Sequence, residues 1–318
     1  MNTSVCTLFE GHYHHGVAAL ANSLHEQGYR GALYVGYKGA LPTWSAAATE
    51  NLALAWPGSR TLAVAPDFQL HFLPLDTSHH LSNHKPDFML RLWDGPARDA
   101  DAMYYFDPDI VVSTPWELFE EWVDAGIALC EDVNSPLGQH HPIRVKWRTY
   151  FGKENIALRF KEATYANSGF VGVSRQNRSF LTKWQQMQAV MAPAIGGLAK
   201  SSFMGTIPLP FEPFGKTDQD AMNATIEAWE DGSASYVGKE AMAFAPGAPL
   251  MTHALGSPKP WDRPPLRLAL AGQPPRPADR DYWRVANRLI STQPASLVKQ
   301  RKFAIQLAAL IGRFYGRR

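Results

Sequence analysis

Cysteine is nearly absent from this chain. Only Cys6 and Cys130 occur among its 318 residues, each inside an apolar run. Two thiols build neither an all-cysteine zinc site nor a disulfide scaffold, so they read as buried thiols of a reducing compartment. Long hydrophobic runs are also lacking. No stretch reaches the about eighteen apolar residues that a membrane-spanning helix needs. Met1 to Glu10 carries no basic stretch followed by an apolar one, so no signal peptide is expected and the expected location is cytoplasmic. There is no internal repeat and no low-complexity segment. The segment Glu10 to Gly16, after the first apolar run, has two glycines and no Lys or Arg. That counts against the Gly-rich basic phosphate loop a nucleotidyltransferase would place there.

What the chain does have is an ordinary globular composition, 45% hydrophobic and 12% aromatic, with an uneven charge. Asp281 to Arg318 holds eight basic residues and one acid, a net +7 that leaves the first 280 residues at −5 within the overall +2. A basic tail on an acidic body suits an anionic partner for the tail, and the acidic body argues against nucleic-acid binding as the main role.

Apolar periodicity sets out an α/β chain. Val5 to Phe9 reads as a strand, Val17 to Leu24 as a helix and Ala32 to Tyr37 as a second strand, a right-handed crossover unit. Further strands are predicted at Arg60 to Val64, His71 to Leu73, Met103 to Phe106, Ile110 to Val112, Ile127 to Cys130 and Phe170 to Val173. Helices are predicted at Pro86 to Leu92, Trp116 to Trp122, Ser179 to Met191 and Asp218 to Trp229. From Pro246 onward prolines crowd the chain, and regular elements are not expected there.

Five motifs could carry chemistry. Asp107-Pro108-Asp109 ends an apolar strand; residues i and i+2 of an extended segment point the same way, so two carboxylates could share a hard divalent cation. The same triplet is good turn chemistry. His253-Ala254-Leu255-Gly256-Ser257-Pro258-Lys259-Pro260-Trp261 combines an imidazole, a glycine that permits close backbone approach and a compact cation for phosphate. Thr217-Asp218-Gln219-Asp220 opens a helix, where its acids either cap the dipole or face a reacting sugar. Asn167-Ser168-Gly169 reads as a small-residue turn before a strand. The surplus histidines (His12, His14, His15, His79, His80, His84, His140 and His141) show no convincing ligand spacing and read as loop or solvent residues.

These motifs, in this order over roughly residues 5 to 262, resemble glycosyltransferase family 8, which retains anomeric configuration. Every fixed position of the histidine-to-tryptophan motif matches: His253, Gly256, Lys259, Pro260 and Trp261. Where that family often shows an acidic pair after its first strand, this chain has Glu10-Gly11-His12-Tyr13. The resemblance implies a GT-A fold, a Rossmann-like, mixed but mostly parallel sheet flanked by helices, over residues 1–262, with residues 263–318 as a Pro-rich connection and basic tail. It implies manganese or magnesium on Asp107, Asp109 and His253, and a nucleotide-sugar donor, a UDP-sugar, contacted by Asp107, Asn167, Ser168, Gly256 and Lys259. It implies Asp218 and Gln219 at the reacting sugar, with the Gln219 amide oxygen near the anomeric carbon. Thr7, Phe9 and Tyr13 would hold the nucleoside. Arg91 stands near the spacing of the family's donor-contacting basic residue, and Lys85 competes for that role. The acceptor would be a glycan, lipid-linked or other hydroxyl, with contacts sought in Pro136 to Phe160, notably Arg144, Lys146, Trp147 and Arg148.

The tail has its own pattern. Phe303, Leu307, Leu310 and Phe314 fall on one helical face, Arg301 opposite them, and Lys302, Gln306 and Arg313 along a flank, with Ile305 on the polar side. This resembles an interfacial helix at an anionic membrane surface, which would make the protein peripheral at the inner face of the membrane. The alternative is a helix packed on the body or on a second subunit. For the whole chain, the rival to an enzyme is a non-catalytic sugar- or nucleotide-binding module, which would bind its ligand equally with and without metal.

Overall fold

The computed structural model describes residues 1–201 and 211–315. Eleven strands and nine α-helices follow in chain order: β1 (Thr3–Glu10), α1 (His14–Glu26), β2 (Gly31–Lys38), β3 (Thr49–Glu50), β4 (Arg60–Ala65), β5 (Phe68–Pro74), α2 (Lys85–Trp93), β6 (Ala102–Phe106), β7 (Ile110–Val112), α3 (Glu117–Asp124), β8 (Ile127–Glu131), α4 (Pro142–Lys153), β9 (Ala166–Ser174), α5 (Ser179–Ile195), α6 (Thr217–Ala228), β10 (Ala234–Val237), β11 (Met251–His253), α7 (Pro265–Leu270), α8 (Pro277–Val285) and α9 (Ala295–Gly312).

Nine strands form one sheet in the order β10-β8-β9-β6-β1-β2-β5-β4-β3. The centre, β6-β1-β2-β5, is parallel; β9 and β4 run against the others. β1 shows why the sheet must be covered on both sides. Cys6 and Leu8 face one apolar cluster and Val5 and Phe9 the other, all buried. α2, α4, α5 and α6 close the first face, and α1 and α3 the second. Both cysteines lie buried in these layers, and burial pushes their thiols up.

A second, two-stranded ribbon positions the chemistry. β7 and β11 pair antiparallel with His253 opposite Ile110, immediately after the Asp107-Pro108-Asp109 turn. That turn stands at the carboxyl end of β6, where open α/β sheets place their ligands. α1 can approach the turn because residue 16 is glycine: a Cβ there would lie 2.2 Å from the Pro108 carbonyl oxygen and 3.1 Å from the Trp261 ring.

Three local expectations are corrected. Asn167, Ser168 and Gly169 are not a turn before a strand; β9 already begins at Ala166, so their side chains alternate across the sheet. The proline-rich region does form helices, because Pro265 and Pro277 each occupy a first turn, where no amide bond is lost. α9 packs on the body through Val298, Ile305 and Ala308, which join Tyr282, Trp283 and Trp261 or lie buried beside them. Ile305 is thus on the packed side, while Phe303, Leu307, Leu310 and Phe314 face outward. No helix among the described residues is long and apolar enough to cross a membrane.

Gly16→Ala is expected to lower stability in urea unfolding by about 1–3 kcal/mol, the usual cost of forcing an extra carbon into a packed contact. Unchanged stability would show that α1 and the aspartate turn are not held this closely.

Candidate active site

Asp107, Asp109 and His253 converge. Their ligand atoms all lie within 4.8 Å of one another. The His253 Nε2 is 3.3 Å from Asp109 Oδ1 and 3.7 Å from Asp107 Oδ2. The remaining oxygens are committed elsewhere. Asp107 Oδ1 accepts from the Tyr105 hydroxyl at 2.9 Å and faces Lys85 Nζ at 3.1 Å, and Asp109 Oδ2 accepts from Lys259. One oxygen of each carboxylate and one imidazole nitrogen therefore face a common point. Octahedral bonds of about 2.1 Å set neighbouring donors about 3 Å apart, so the three fit a manganese- or magnesium-sized cation after a small closure. The cradle is also kept open by Gly169. A Cβ there would meet His253 Cε1 at 2.6 Å, Asn167 Oδ1 at 2.8 Å and Asp107 Oδ2 at 3.0 Å.

Electrostatics hold the carboxylates ready. Burial alone would raise the Asp109 carboxyl, yet His253 and Lys259 keep it below the ordinary carboxylate range. Lys259 is pushed the other way: burial would lower it, but Asp109 and Tyr13 raise it. Its Nζ also donates to the Ala254 carbonyl at 2.7 Å and lies 5.6 Å from the centre of the Tyr13 ring.

Of the two basic candidates that precede the aspartate pair, Lys85 reaches the cluster and Arg91 does not. Lys85 is 2% exposed and donates to Asp218 Oδ2 and the Ser168 carbonyl, both at 2.9 Å, while reaching Asp107. Burial would lower its pKa, but Asp107 and Asp218 raise it, so it stays charged. Arg91 lies on another face of the same helix, exposed, its guanidinium 3.5 Å from the centre of the Trp56 ring. The two are six positions apart, which on a helix turns the side chain well away.

Asp218 is held by Lys85 and by the Ser168 hydroxyl at 2.7 Å. Gln219 corrects an expectation. Its Oε1 accepts from the Ser168 amide at 3.2 Å, which leaves Nε2 buried and without a partner among the described residues. An amide N–H can only donate, so the oxygen must face it, and what Gln219 offers a ligand is a donor. Asn167 donates to Asp132 at 2.7 Å and accepts from the Gly169 amide. Of the nucleoside candidates only Tyr13 reaches the cluster. Thr7 is buried within β1 with its hydroxyl unpartnered, and Phe9 stacks on Tyr37 in the core. Gly256 adopts a left-handed φ of 71° with open space where a Cβ would stand. The segment searched for acceptor contacts is largely structural. Arg144 pairs with buried Glu227, Arg148 lies 3.6 Å from the same carboxylate, and Trp147 is fully buried.

This architecture is shared with two solved glycosyltransferases. The galactosyltransferase LgtC, solved with donor and acceptor sugar analogs, superposes with a TM-score of 0.51 at 15% identity over 94% of this chain and 99% of its own. The bifunctional glycosyltransferase WbbM gives 0.52 at 14% identity over 95% of this chain, which spans about half of WbbM. The fold is GT-A. No protein-family model and no curated protein matches the sequence.

Within this GT-A frame, sequence reasoning missed Asp132 and Tyr105, while Asp220 takes the helix-capping role that its motif offered. Asp132 follows β8 directly, and its end-of-strand position was the available signal. There it sits 3.6 Å from Lys216 and, despite burial that would raise it, is held low by that lysine and by hydrogen bonds from Asn134 and Asn167. Asp220 is completely enclosed. Burial pushes its carboxyl up to about 7, against hydrogen bonds from the Tyr165 hydroxyl and the Lys216 amide that favour the charged form.

The unfolded chain gives up this proton near the ordinary carboxylate value of 3.8, whereas the folded protein holds it to about 7. The stability owed to Asp220 is therefore complete below pH about 4 and lost as pH rises through about 7. The stability advantage of the parent over Asp220→Asn, measured by urea unfolding, should shrink steadily across that window. Parallel pH profiles for the two proteins would contradict the assignment.

Proposed function

We propose that this chain is a metal-dependent glycosyltransferase that moves a sugar from a UDP-sugar donor to an acceptor hydroxyl with retention, in the synthesis of a bacterial glycan or polysaccharide. The observation that carries the proposal is the convergence of Asp107, Asp109 and His253 with Lys259 at the carboxyl edge of a GT-A sheet. Residues 1–262 would supply the catalytic unit. Manganese or magnesium on the triad would offset negative charge on the departing diphosphate. Lys259, a compact ammonium already beside Asp109, is placed to meet the same phosphates, and the Gly256 turn lets backbone come close to them. Asp218, fixed by Lys85 and Ser168, presents a carboxylate toward the positive character that develops on the sugar. Gln219 Nε2 and the Asn167–Asp132 pair orient sugar hydroxyls. Tyr13 and the end of β1 border the nucleoside.

A screen of nucleotide-sugars should find one donor that releases nucleoside diphosphate with manganese and not with chelator. Asp109→Asn and His253→Ala should each lower that rate by at least about a hundredfold, since each removes a ligand from the charge-stabilising centre. Donor binding that ignores metal and both substitutions would favour the binding module instead.

The acceptor would be a hydroxyl of a glycan or lipid-linked glycan, and α9 gives a reason to favour a membrane-borne one. Its outward face shows Phe303, Leu307, Leu310 and Phe314, flanked by exposed Lys299, Lys302 and Arg313. Apolar anchors beside cations suit an anionic lipid surface, which would place a cytoplasmic protein at the inner face of the membrane. Deleting Arg280 to Arg318 would uncover Trp261 and Ala19, so the test uses outward residues only. The triple variant Phe303→Ser, Leu307→Ser, Leu310→Ser should sediment with phosphatidylglycerol vesicles at least about tenfold more weakly than the parent. Equal sedimentation would remove the membrane from this reading.

A further inference from the structure

Away from the donor site, a second group of metal-ligating side chains comes together on the α2 side of the sheet. The ligand atoms of His79, His84 and Asp87 lie within 4.8 Å of one another. His84 Nδ1 stands 4.0 Å from Asp87 Oδ2, too far for a hydrogen bond, and the His79 and His84 rings are 5.9 Å apart. The Nδ1 atoms of both histidines are buried with no hydrogen-bonding partner among the described residues. Buried imidazole nitrogens are ordinarily satisfied, and two left without partners beside one carboxylate mark a place where a further electrophile fits.

The surroundings are arranged in the same sense. Gln185 Nε2 donates to Asp87 Oδ1 at 2.6 Å, which fixes the carboxylate as an outer partner of a ligand commonly does. One turn further along α5, Gln188 is 1% exposed, and neither atom of its amide has a partner among the described residues. His79, Asp87, Gln185 and Gln188 all line one surface cleft of about 960 Å³.

We propose that His79, His84 and Asp87 form a second metal site, separate from the aspartate pair, that takes a borderline divalent cation such as zinc. Two imidazoles and one carboxylate make a softer donor set than the two carboxylates and one imidazole at Asp107, Asp109 and His253, which selects zinc over manganese or magnesium. Tetrahedral zinc with bonds of about 2.1 Å sets its donors about 3.4 Å apart, so the three side chains draw in by about an ångström around it, leaving its fourth position toward the cleft. His79 lies in a loop and His84 directly precedes Lys85, so the ion would tie that loop to the start of α2, where the buried ammonium of the donor site begins.

The test does not depend on sugar transfer. The full chain carrying Asp109→Asn and His253→Ala is stripped with chelator and titrated with zinc in equilibrium dialysis. One equivalent should still bind. Adding His79→Gln, a loop substitution of similar size, should weaken that zinc by at least about tenfold. Cobalt added to the double variant should show the visible absorption of a tetrahedral site, and zinc should displace it. Loss of all zinc binding in the double variant, equal binding after His79→Gln, or octahedral cobalt spectra would each overturn the proposal.

Discussion

The buried ammonium of Lys85 is the interaction on which the candidate site depends. It touches Asp107, Asp218 and the Ser168 carbonyl, so one cation joins the end of β6, the start of β9 and the first turn of α6. Taking a charge out of water costs several kcal/mol, and the cost is met only if partners surround it. Three oxygens within about 3 Å do so here. Removing the amine would leave two carboxylates facing each other without a counter-charge, a loss of about 3–5 kcal/mol by the general behaviour of broken buried pairs. The lysine therefore fixes the relative position of Asp107 and Asp218.

The rest of the site follows from the same bookkeeping of charge. Lys259 sits on Asp109 as Lys85 sits on Asp107, and Lys216 lies near Asp132. Each carboxylate thus uses part of its oxygen capacity on a lysine. Lysine suits this role because its ammonium is a compact point charge on a flexible stem. Asp220 is the exception. It is enclosed with a tyrosine hydroxyl and a backbone amide, and burial outweighs both. Its work is structural, anchoring the start of α6 to Tyr165 on the strand side.

The two ends of the chain are coupled through Trp261. Its ring meets Tyr13 and His15 of the first turn after β1 and Tyr282 of α8. The tryptophan that closes the histidine motif is therefore a core residue connecting Tyr13 and the start of α1, the aspartate turn and the C-terminal helices. α9 is packed and exposed at once, because eighteen residues present more than one apolar stripe. One stripe covers α7 and α8, and the other remains outside.

Local periodicity and linear motifs carried much of this in the sequence. The strands at the centre of the sheet, the covering helices α1, α2, α3, α5 and α6, the aspartate turn and the residues from His253 to Trp261 were legible, because each is encoded within a few neighbouring positions; α4, which also covers the sheet, was not. Other features depend on pairs far apart in the chain. The register that sets His253 opposite Ile110 spans more than a hundred residues, and so do the contacts of Lys85 with Asp218 and of Asn83 with Lys200. Lys85 and Arg91 are equally basic in sequence; only the packing of α2 decides which one is buried. His84 and Asp87 are three positions apart, a helical spacing, but His79 lies outside it, and a short 3-10 turn between His79 and Asp87 brings the three together. Ile305 looked solvent-facing against its own helix and is buried against another. The sequence by itself determined the central strands, most of the helices that cover them and which residues could do chemistry, but not α4 or the two short helices of the proline-rich region. The tertiary structure decided which faces were inward and which charges met, since those are settled by contacts between elements and not by spacing within one.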